Sequence, residues 1–215
     1  MKLNQGLFLT FEGGEGAGKT TLIEEVVRTL TLDGFPILKT REPGGTFIGE
    51  QVRDLALQKS AGPAMSPYAE LCLFLASRAQ HIAEVIGPAL KLHQIVLCDR
   101  FNDSSIAYQG NARGLGMQKV ETICDFISQG LQPHLTLYLD IDPEIGLLRA
   151  KSARAHDRIE AEALAFHTKV REAYHALQKK HPQRLKLLNA DRPPAKVFEE
   201  AMSYILPLVK SHHVS

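Results

Sequence analysis

The chain has 215 residues and is 44% apolar, so it can bury a sizeable core as one large α/β domain or as two small ones. Its formal net charge of +1 argues against a duplex nucleic-acid binder, because such proteins carry a basic face or stripe. The three cysteines are isolated and odd in number, and no apolar run approaches the length of a membrane span, so we expect a reducing, cytoplasmic setting without a membrane partner.

The first predicted elements enclose a phosphate-binding loop. An apolar strand over 7–11 precedes it, and apolar residues at helical spacing follow it. Between them, residues 13–20 match G-x-x-x-x-G-K-[ST], whose small residues let successive backbone N–H groups point at phosphate oxygens. Lys19 can reach the outer phosphates, and the Thr20 hydroxyl can ligate Mg²⁺. The helix that begins near Lys19 adds its positive end.

A glycine-rich turn without a ligand is the alternative to this phosphate loop. It is the weaker interpretation, because the motif lies between a strand and a helix, as phosphate loops do. The sequence therefore predicts a nucleoside triphosphate site, whose residues are Gly13, Gly14, Glu15, Gly16, Ala17, Gly18, Lys19, Thr20 and Thr21.

Further along the chain, short apolar strands alternate with amphipathic helices. The predicted strands cover 37–40, 95–98, 135–139 and 185–188. The predicted helices cover 48–56, 67–85, 102–109, 120–127 and about 160–181, with others beginning at 143 and 194. This alternation predicts an α/β fold of the P-loop NTPase type. We expect one domain, 1–215, with a central parallel sheet covered by helices on both faces.

Asp99 and Arg100 follow a strand that is apolar throughout. Asp99 can hold Mg²⁺ through water. Motor ATPases usually place a second acid after this residue to activate water, whereas Arg100 suits an anionic substrate. A local ion pair at a strand end is the alternative, and it is less favoured because open α/β sheets bind ligands at the carboxyl ends of their strands.

Phe74 and Arg78 lie four residues apart on one face of an otherwise apolar helix. A ring that stacks a base, with an arginine that reaches the base or a phosphate, forms a nucleotide platform. For this helix alone, a core phenylalanine and an arginine whose head reaches solvent are the commoner pair. Arg41 and Arg53 occupy positions from which they could line the same cleft.

Longer stretches narrow the choice among phosphate-loop proteins. The guanine signature of GTPases and the Leu-Ser-Gly-Gly-Gln signature of transporter ATPases are absent. The chain instead resembles bacterial thymidylate kinases, of the nucleoside-monophosphate kinase group, over about residues 6–190. The matching stretches follow the family order: 11–21, 40–46, Phe74 with Arg78, 99–101, 104–110, 133–140 and 157–160.

The resemblance implies ATP and dTMP as substrates, Mg²⁺ as cofactor and a homodimer. Lys19 and the loop amides hold the ATP phosphates, and Glu15 lies near the sugar and phosphate of the acceptor. The implied dTMP-binding residues are Phe74, which stacks on thymine, Arg53 and Arg78 at its polar edge, Ser105 and Gln109 near the base, Tyr108 under the deoxyribose, Arg41 and Arg100 on the monophosphate, and Glu42 and Pro43 in that wall.

The family takes its catalytic arginine either from the phosphate loop or from a lid. Here the loop holds no cation except Lys19, which resembles the lid-arginine type. The segment at about 150–160 matches the lid, and the cations in or beside it are Arg149, Lys151, Arg154 and Arg158. Arg154 is the first choice, with the register left open. The implied catalytic set is Lys19, Arg100, Arg154 and Glu15.

The resemblance implies transfer of the ATP γ-phosphate to dTMP, giving dTDP and ADP. Another nucleotide or deoxynucleoside kinase is the nearest alternative. A nucleoside kinase would need a base for the 5′-hydroxyl and would leave the two phosphate-side arginines without a task. A non-catalytic phosphate-loop switch would bind a partner when loaded with ATP and would not turn over dTMP.

Overall fold

Five parallel strands form the centre of the computed structural model, which describes residues 2–58, 64–151 and 158–214. A short antiparallel pair, β1 (Lys2–Leu3) with β7 (His213–Val214), lies apart from this sheet. The sheet has the order β3-β4-β2-β5-β6. Its strands are β2 (Leu7–Gly13), β3 (Ile37–Arg41), β4 (Ile95–Asp99), β5 (Leu135–Asp140) and β6 (Leu185–Asn189).

Helices connect the strands. They are α1 (Lys19–Leu32), α2 (Phe47–Leu57), α3 (Pro67–His81), α4 (Gly87–Lys91), α5 (Asn102–Ser105), α6 (Met117–Ile127), α7 (Pro143–Lys151), α8 (Leu164–Lys180) and α9 (Pro194–Ser211). Two π-helical segments, Ile82–Ile86 and Ile106–Ala112, continue α3 and α5. Among the helices in these ranges, none is long and apolar enough to cross a membrane.

The sheet is buried on both faces, as its apolar strands predict. Leu137 packs into a core with α1 and α9, whereas the next residue, Tyr138, packs into a second core with α3, α6 and α8. Successive strand side chains point to opposite faces, so these two cores lie on opposite sides of the sheet. The predicted α/β fold is confirmed.

The strand register places three predicted site segments together at the carboxyl ends of the strands. Asp99 is paired with Phe11 of β2 on one side and with Arg41 of β3 on the other. All three strands run parallel, so their carboxyl ends emerge together. The phosphate loop, the Asp99–Arg100 turn and the loop after Arg41 therefore meet where open α/β sheets bind ligands.

Three predicted helix boundaries are wrong. The helix expected from 120 begins at Met117. The helix expected from about 160 begins at Leu164. The residues before it form turns, because the Arg158 amide donates to the Leu57 carbonyl and Ile159 and Glu160 are buried. The helical turns expected over 102–109 continue as a π-helix to Ala112.

Candidate active site

The phosphate loop joins β2 to α1 with its backbone held tightly against α7. Gly16 and Gly18 have φ angles of 66° and 87°, a region that glycine enters without steric cost. A Cβ on Gly16 would lie 2.1 Å from the carbonyl oxygen of Gly146, so only glycine fits there. Lys19 begins α1, and its Nζ donates to the carbonyls of Gly13 at 3.2 Å and Gly14 at 3.4 Å.

A cavity of about 700 Å³ opens between this loop, β4 and α3. Its walls include every predicted site residue in the described ranges except Gly13 and Gly14: Glu15, Gly16, Ala17, Gly18, Lys19, Thr20, Thr21, Arg41, Glu42, Pro43, Arg53, Phe74, Arg78, Asp99, Arg100, Ser105, Tyr108 and Gln109. Gly13 ends β2, and Gly14 lines a neighbouring depression beside His167. Arg154 lies outside the described residues.

The cavity also contains Arg149, Ala150, Ile159 and Glu160, which lie in or beside the predicted lid segment, and two residues without a predicted role, Leu57 and Ser104. Ser104 and Glu160 lie inside the stretches that carry the family resemblance, so a signal for them was present. Leu57 ends α2 and has no such signal. Arg149 extends from α7 and donates to the Ala190 carbonyl and to Asp191.

Arg100 connects the phosphate loop with the second half of the cavity. One terminal nitrogen donates to Glu15 at 3.1 Å, and the other donates to Ser104 at 3.2 Å. Its guanidinium carbon lies 5.1 Å from the centre of the Tyr108 ring. Its φ angle of 74° costs a residue with a Cβ about 1 kcal/mol, and this backbone turns the side chain into the cavity.

Glu15 is ionised because of the cations around it. Burial alone would raise the pKa of its carboxyl, but Arg100 and then Lys19 lower that pKa to about 2. A fixed negative charge therefore lies between the two cations that are predicted to meet the two phosphate groups.

Arg78 forms a buried wall and does not extend its head to solvent. It is 2% exposed, so the alternative of a surface-reaching arginine is wrong. Its Nε donates to Glu42 at 2.7 Å, and its terminal nitrogens donate to Ser105 and to the Phe101 carbonyl, each at 3.0 Å. His81 contacts the other oxygen of Glu42 at 3.0 Å. The guanidinium is thereby fixed beside the half-buried Phe74.

The loop after β3 contacts the two remaining predicted cations, Arg41 at the end of β3 and Arg53 in α2. Arg41 and Arg53 both donate to the Pro43 carbonyl, at 2.8 and 3.0 Å. Arg41 also pairs with Glu50 at 2.8 Å, a partner that the sequence analysis missed. Both members of that pair are 42% exposed, so an incoming anion can displace Glu50 at little cost.

Tyr108 presents a neutral phenol to the cavity. Burial raises its pKa to about 12. Its hydroxyl is buried, and the Arg100 guanidinium beside the ring opposes this rise in pKa.

Asp99 and Thr20 offer oxygen atoms for a cation. Oδ1 of Asp99 is buried without a hydrogen-bond partner in the described part of the chain, and both residues line the cavity. Within the same ranges, no group of three His, Cys, Asp or Glu forms a metal cage. This donor set fits Mg²⁺, which binds through one or two protein oxygens, phosphate oxygens and water.

Glu12 lies behind the site and is fully buried. Oε1 accepts from the Phe101 amide at 2.8 Å, and Oε2 accepts from the hydroxyls of Ser104 and Tyr174, each at 2.6 Å. It therefore supports the turn that carries Arg100. Burial, reinforced by Asp103, raises the pKa of its carboxyl to about 7.

This pKa predicts a pH-dependent stability difference between the protein and Glu12→Gln. A carboxyl whose pKa is raised on folding stabilises the folded protein at pH values below its unfolded pKa of 4.5. That contribution to the unfolding free energy is lost as the pH rises through the folded pKa of about 7. Relative to the variant, we expect the unfolding free energy to fall by roughly 3 kcal/mol between pH 4 and 8. Denaturant unfolding of both proteins across this range measures it, and a constant difference would contradict the assignment.

Comparisons with known proteins agree with this geometry. The family model described as "Thymidylate kinase" matches residues 11–201. A thymidylate kinase of Clostridium novyi is 48% identical over 205 residues, covering 94% of this chain and all of the relative. One from Protochlamydia amoebophila is 46% identical over 208 residues, covering 94% and 92%. The crystal structure of thymidylate kinase from Ehrlichia chaffeensis superposes with a TM-score of 0.74 at 29% identity, covering 93% of this chain and 98% of that one.

Proposed function

Because the chain belongs to the thymidylate kinase family, we propose that it transfers the γ-phosphate of ATP to dTMP, giving dTDP and ADP for dTTP synthesis. One observation carries the proposal. A phosphate loop and a second wall suited to a base and a phosphate share a single cavity, with Arg100 between them. Direct transfer of a phosphoryl group from one nucleotide to another needs both sites in contact.

The chemistry requires positioning and charge neutralisation. The phosphate of dTMP is already an anionic nucleophile, so no side chain has to remove a proton from it. The protein must bring two polyanions into line and stabilise the charge on the transferring group. The cavity is suited to this task by its cationic side chains: Lys19, Arg41, Arg53, Arg78, Arg100 and Arg149.

The proposed roles follow the positions of the side chains. Lys19 and the loop amides bind ATP phosphates, and Arg41 and Arg100 bind the phosphate of dTMP. Arg154 is proposed as the lid cation that meets the transferring group. Arg158 is not a wall of the cavity, because it donates to Glu70 at 2.6 Å and to the Ala56 carbonyl at 3.0 Å.

Mg²⁺ is the proposed cofactor. The Thr20 hydroxyl would ligate the ion directly, and the unpartnered oxygen of Asp99 would accept from a water in its coordination shell. When bound, the ion offsets the negative charge of the ATP phosphates. Lys19 and Arg100 supply the remaining positive charge from either side.

The base is proposed to lie on Phe74, with its polar edge toward Arg53, Arg78, Ser105 and Gln109. The guanidinium of Arg78 can only donate hydrogen bonds, so its partner on the base would be an acceptor, a carbonyl oxygen. Because Glu42, Ser105 and the Phe101 carbonyl fix the guanidinium, little conformational entropy is lost when the base binds.

Tyr108 is proposed to exclude a 2′-hydroxyl by crowding the sugar. Tyr108→Ala should lower the preference for dTMP over ribothymidine monophosphate by about tenfold, since it removes a group from a packed pocket. Tyr108→Phe measures how much of this preference for dTMP depends on the phenol hydroxyl alone. The ratio of kcat/KM for the two nucleotides measures both effects, and an unchanged ratio in both variants would make the steric role wrong.

A coupled assay of ADP release tests the proposed function directly. The purified protein is given ATP, Mg²⁺ and each of a panel of nucleoside monophosphates and deoxynucleosides. We expect turnover with dTMP well above every other acceptor. A better acceptor elsewhere in the panel would identify a different kinase, and no turnover with any acceptor would favour the switch.

We further propose a cytoplasmic homodimer. All three cysteines are free thiols, which suits a reducing compartment. Large apolar side chains are exposed on α2, α3 and α6, and a subunit interface would cover surfaces of this kind; they include Phe47, Tyr68 and Phe126. Size-exclusion chromatography with light scattering measures the mass, and a monomer would overturn the dimer.

A further inference from the structure

Glu70 is a buried carboxylate that touches the base wall and has no assigned role. It lies in α3 and is 1% exposed. Oε1 accepts from Gln109 Nε2 at 2.8 Å and from Arg113 Nε at 3.2 Å. Oε2 accepts from Arg158 at 2.6 Å and from a terminal nitrogen of Arg113 at 3.2 Å. Both oxygens are therefore occupied by donors from other segments of the chain.

The charge of Glu70 decides how Gln109 is oriented. Burial alone would raise the pKa of this carboxyl, but the hydrogen bonds from Gln109, Arg113 and Arg158 lower it below its ordinary value. An ionised carboxylate accepts and never donates. Gln109 must therefore turn its NH₂ group toward Glu70, and the carbonyl Oε1 is the atom left for other contacts.

Gln109 and Arg78 both line the cavity, in the part that is proposed to bind the base. Arg78 only donates hydrogen bonds, and the free end of Gln109 in this orientation only accepts them. Thymine offers a carbonyl at position 4 and an N–H at position 3, so it matches a donor beside an acceptor. Cytosine offers an amino group at position 4 and a lone pair at position 3, so both contacts would be reversed.

We propose that Glu70 is a positioning residue that sets base selectivity, because it fixes the Gln109 amide with its carbonyl oxygen toward the base. This inference rests on the proposed function. It adds that rejection of cytosine depends on a carboxylate that does not touch the substrate. A site whose buried polar groups are left unpaired by the wrong base discriminates strongly against it.

Glu70→Gln tests the proposal with a minimal change of shape. Arg158 and a terminal nitrogen of Arg113 can only donate, so they retain the amide oxygen at the Oε2 position. The NH₂ group then takes the Oε1 position, where it faces Gln109 and leaves Arg113 Nε without this acceptor. The side-chain amide of Gln109 then flips, so that its oxygen accepts from the new NH₂ group and its own NH₂ group faces the base. The ratio of kcat/KM for dTMP over dCMP should fall about tenfold or more, with kcat/KM for dCMP unchanged or raised.

Two controls separate orientation from loss of a buried charge. Glu121→Gln removes a carboxylate paired with Lys180 and His181, away from the cavity, and should leave the ratio unchanged. In a Gln109→Leu background no amide remains to be turned, so Glu70→Gln should no longer change the ratio. An equal fall for both nucleotides in Glu70→Gln would overturn the proposal and leave Glu70 with a structural role.

A measurement on the unsubstituted protein covers the case in which Glu70→Gln does not fold. Neutron diffraction of crystals with dTMP should locate two deuterons on the Gln109 atom that faces Glu70 and none on the atom that faces the base. The reverse placement would overturn the proposal. Absence of dTMP turnover by the unsubstituted protein would instead refute the proposed function, so the two failures are distinguishable.

Discussion

Lys19→Ala is expected to lower kcat by about 10³-fold at saturating ATP and dTMP, because it removes a fixed cation beside the transferring phosphate. The position of Nζ is set by the loop itself, through the carbonyls of Gly13 and Gly14. A cation held in place before the substrate arrives pays no reorganisation cost during the reaction. Steady-state ADP release measures kcat, and circular dichroism checks that the fold is retained.

Lys39→Ala is the matched control for this substitution. Lys39 lies in β3, is exposed and pairs with Glu24 at 3.4 Å, and it is not a wall of the cavity. The same truncation there should leave kcat at the wild-type value. If Lys19→Ala retained near wild-type kcat, the phosphate loop would not supply the cation that the reaction requires.

The fold could be predicted because its signals are local. β4 is a run of apolar residues that ends at a charged pair, and both features are visible without the structure. The start of α8 was not predictable in this way. Its position depends on the Arg158 amide meeting the Leu57 carbonyl, a contact between residues about a hundred positions apart. Helical periodicity in the sequence carries no information about such a contact.

The site shows the same division. Lys19, Asp99 and Arg100 belong to short motifs whose chemistry can be interpreted from residue types and spacing. The buried carboxylates behind the site do not belong to such motifs: Glu12 reaches the Phe101 amide across 89 positions, and Glu70 reaches Arg158 across 88. Packing of α3 and β2 against other segments creates these contacts, so only the folded chain reveals them. Arg154 lies outside the described residues and stays a prediction.

Arg100→Lys is expected to lower kcat/KM for dTMP by about 10²-fold, although it keeps the charge. The guanidinium is planar, and its two terminal nitrogens are fixed by Glu15 and Ser104. A planar fork can donate two parallel hydrogen bonds to a phosphate, whereas an ammonium group acts as a point charge. Initial rates with dTMP varied at saturating ATP measure the loss.

Arg184→Lys is the matched control for this second substitution. Its side chain is 17% exposed, as is that of Arg100, and it too pairs with a carboxylate of low exposure, Asp103 at 2.6 Å. It is not a wall of the cavity, so the same change there should leave kcat/KM for dTMP near the wild-type value. Equal losses in both variants would show that any disrupted buried pair lowers activity.

The pairing of Arg100 with Glu15 gives a further expected result. In Arg100→Met the carboxylate of Glu15 loses its ion pair, keeps Lys19 as the cation beside it, and repels the incoming phosphate more strongly. Adding Glu15→Gln to that variant should therefore raise dTMP affinity about tenfold, whereas Glu15→Gln alone should not raise it. Calorimetric titration with dTMP measures all four proteins. If Glu15→Gln had the same effect in both backgrounds, the two side chains would act independently, and Arg100 would not have the compensating role that its geometry indicates.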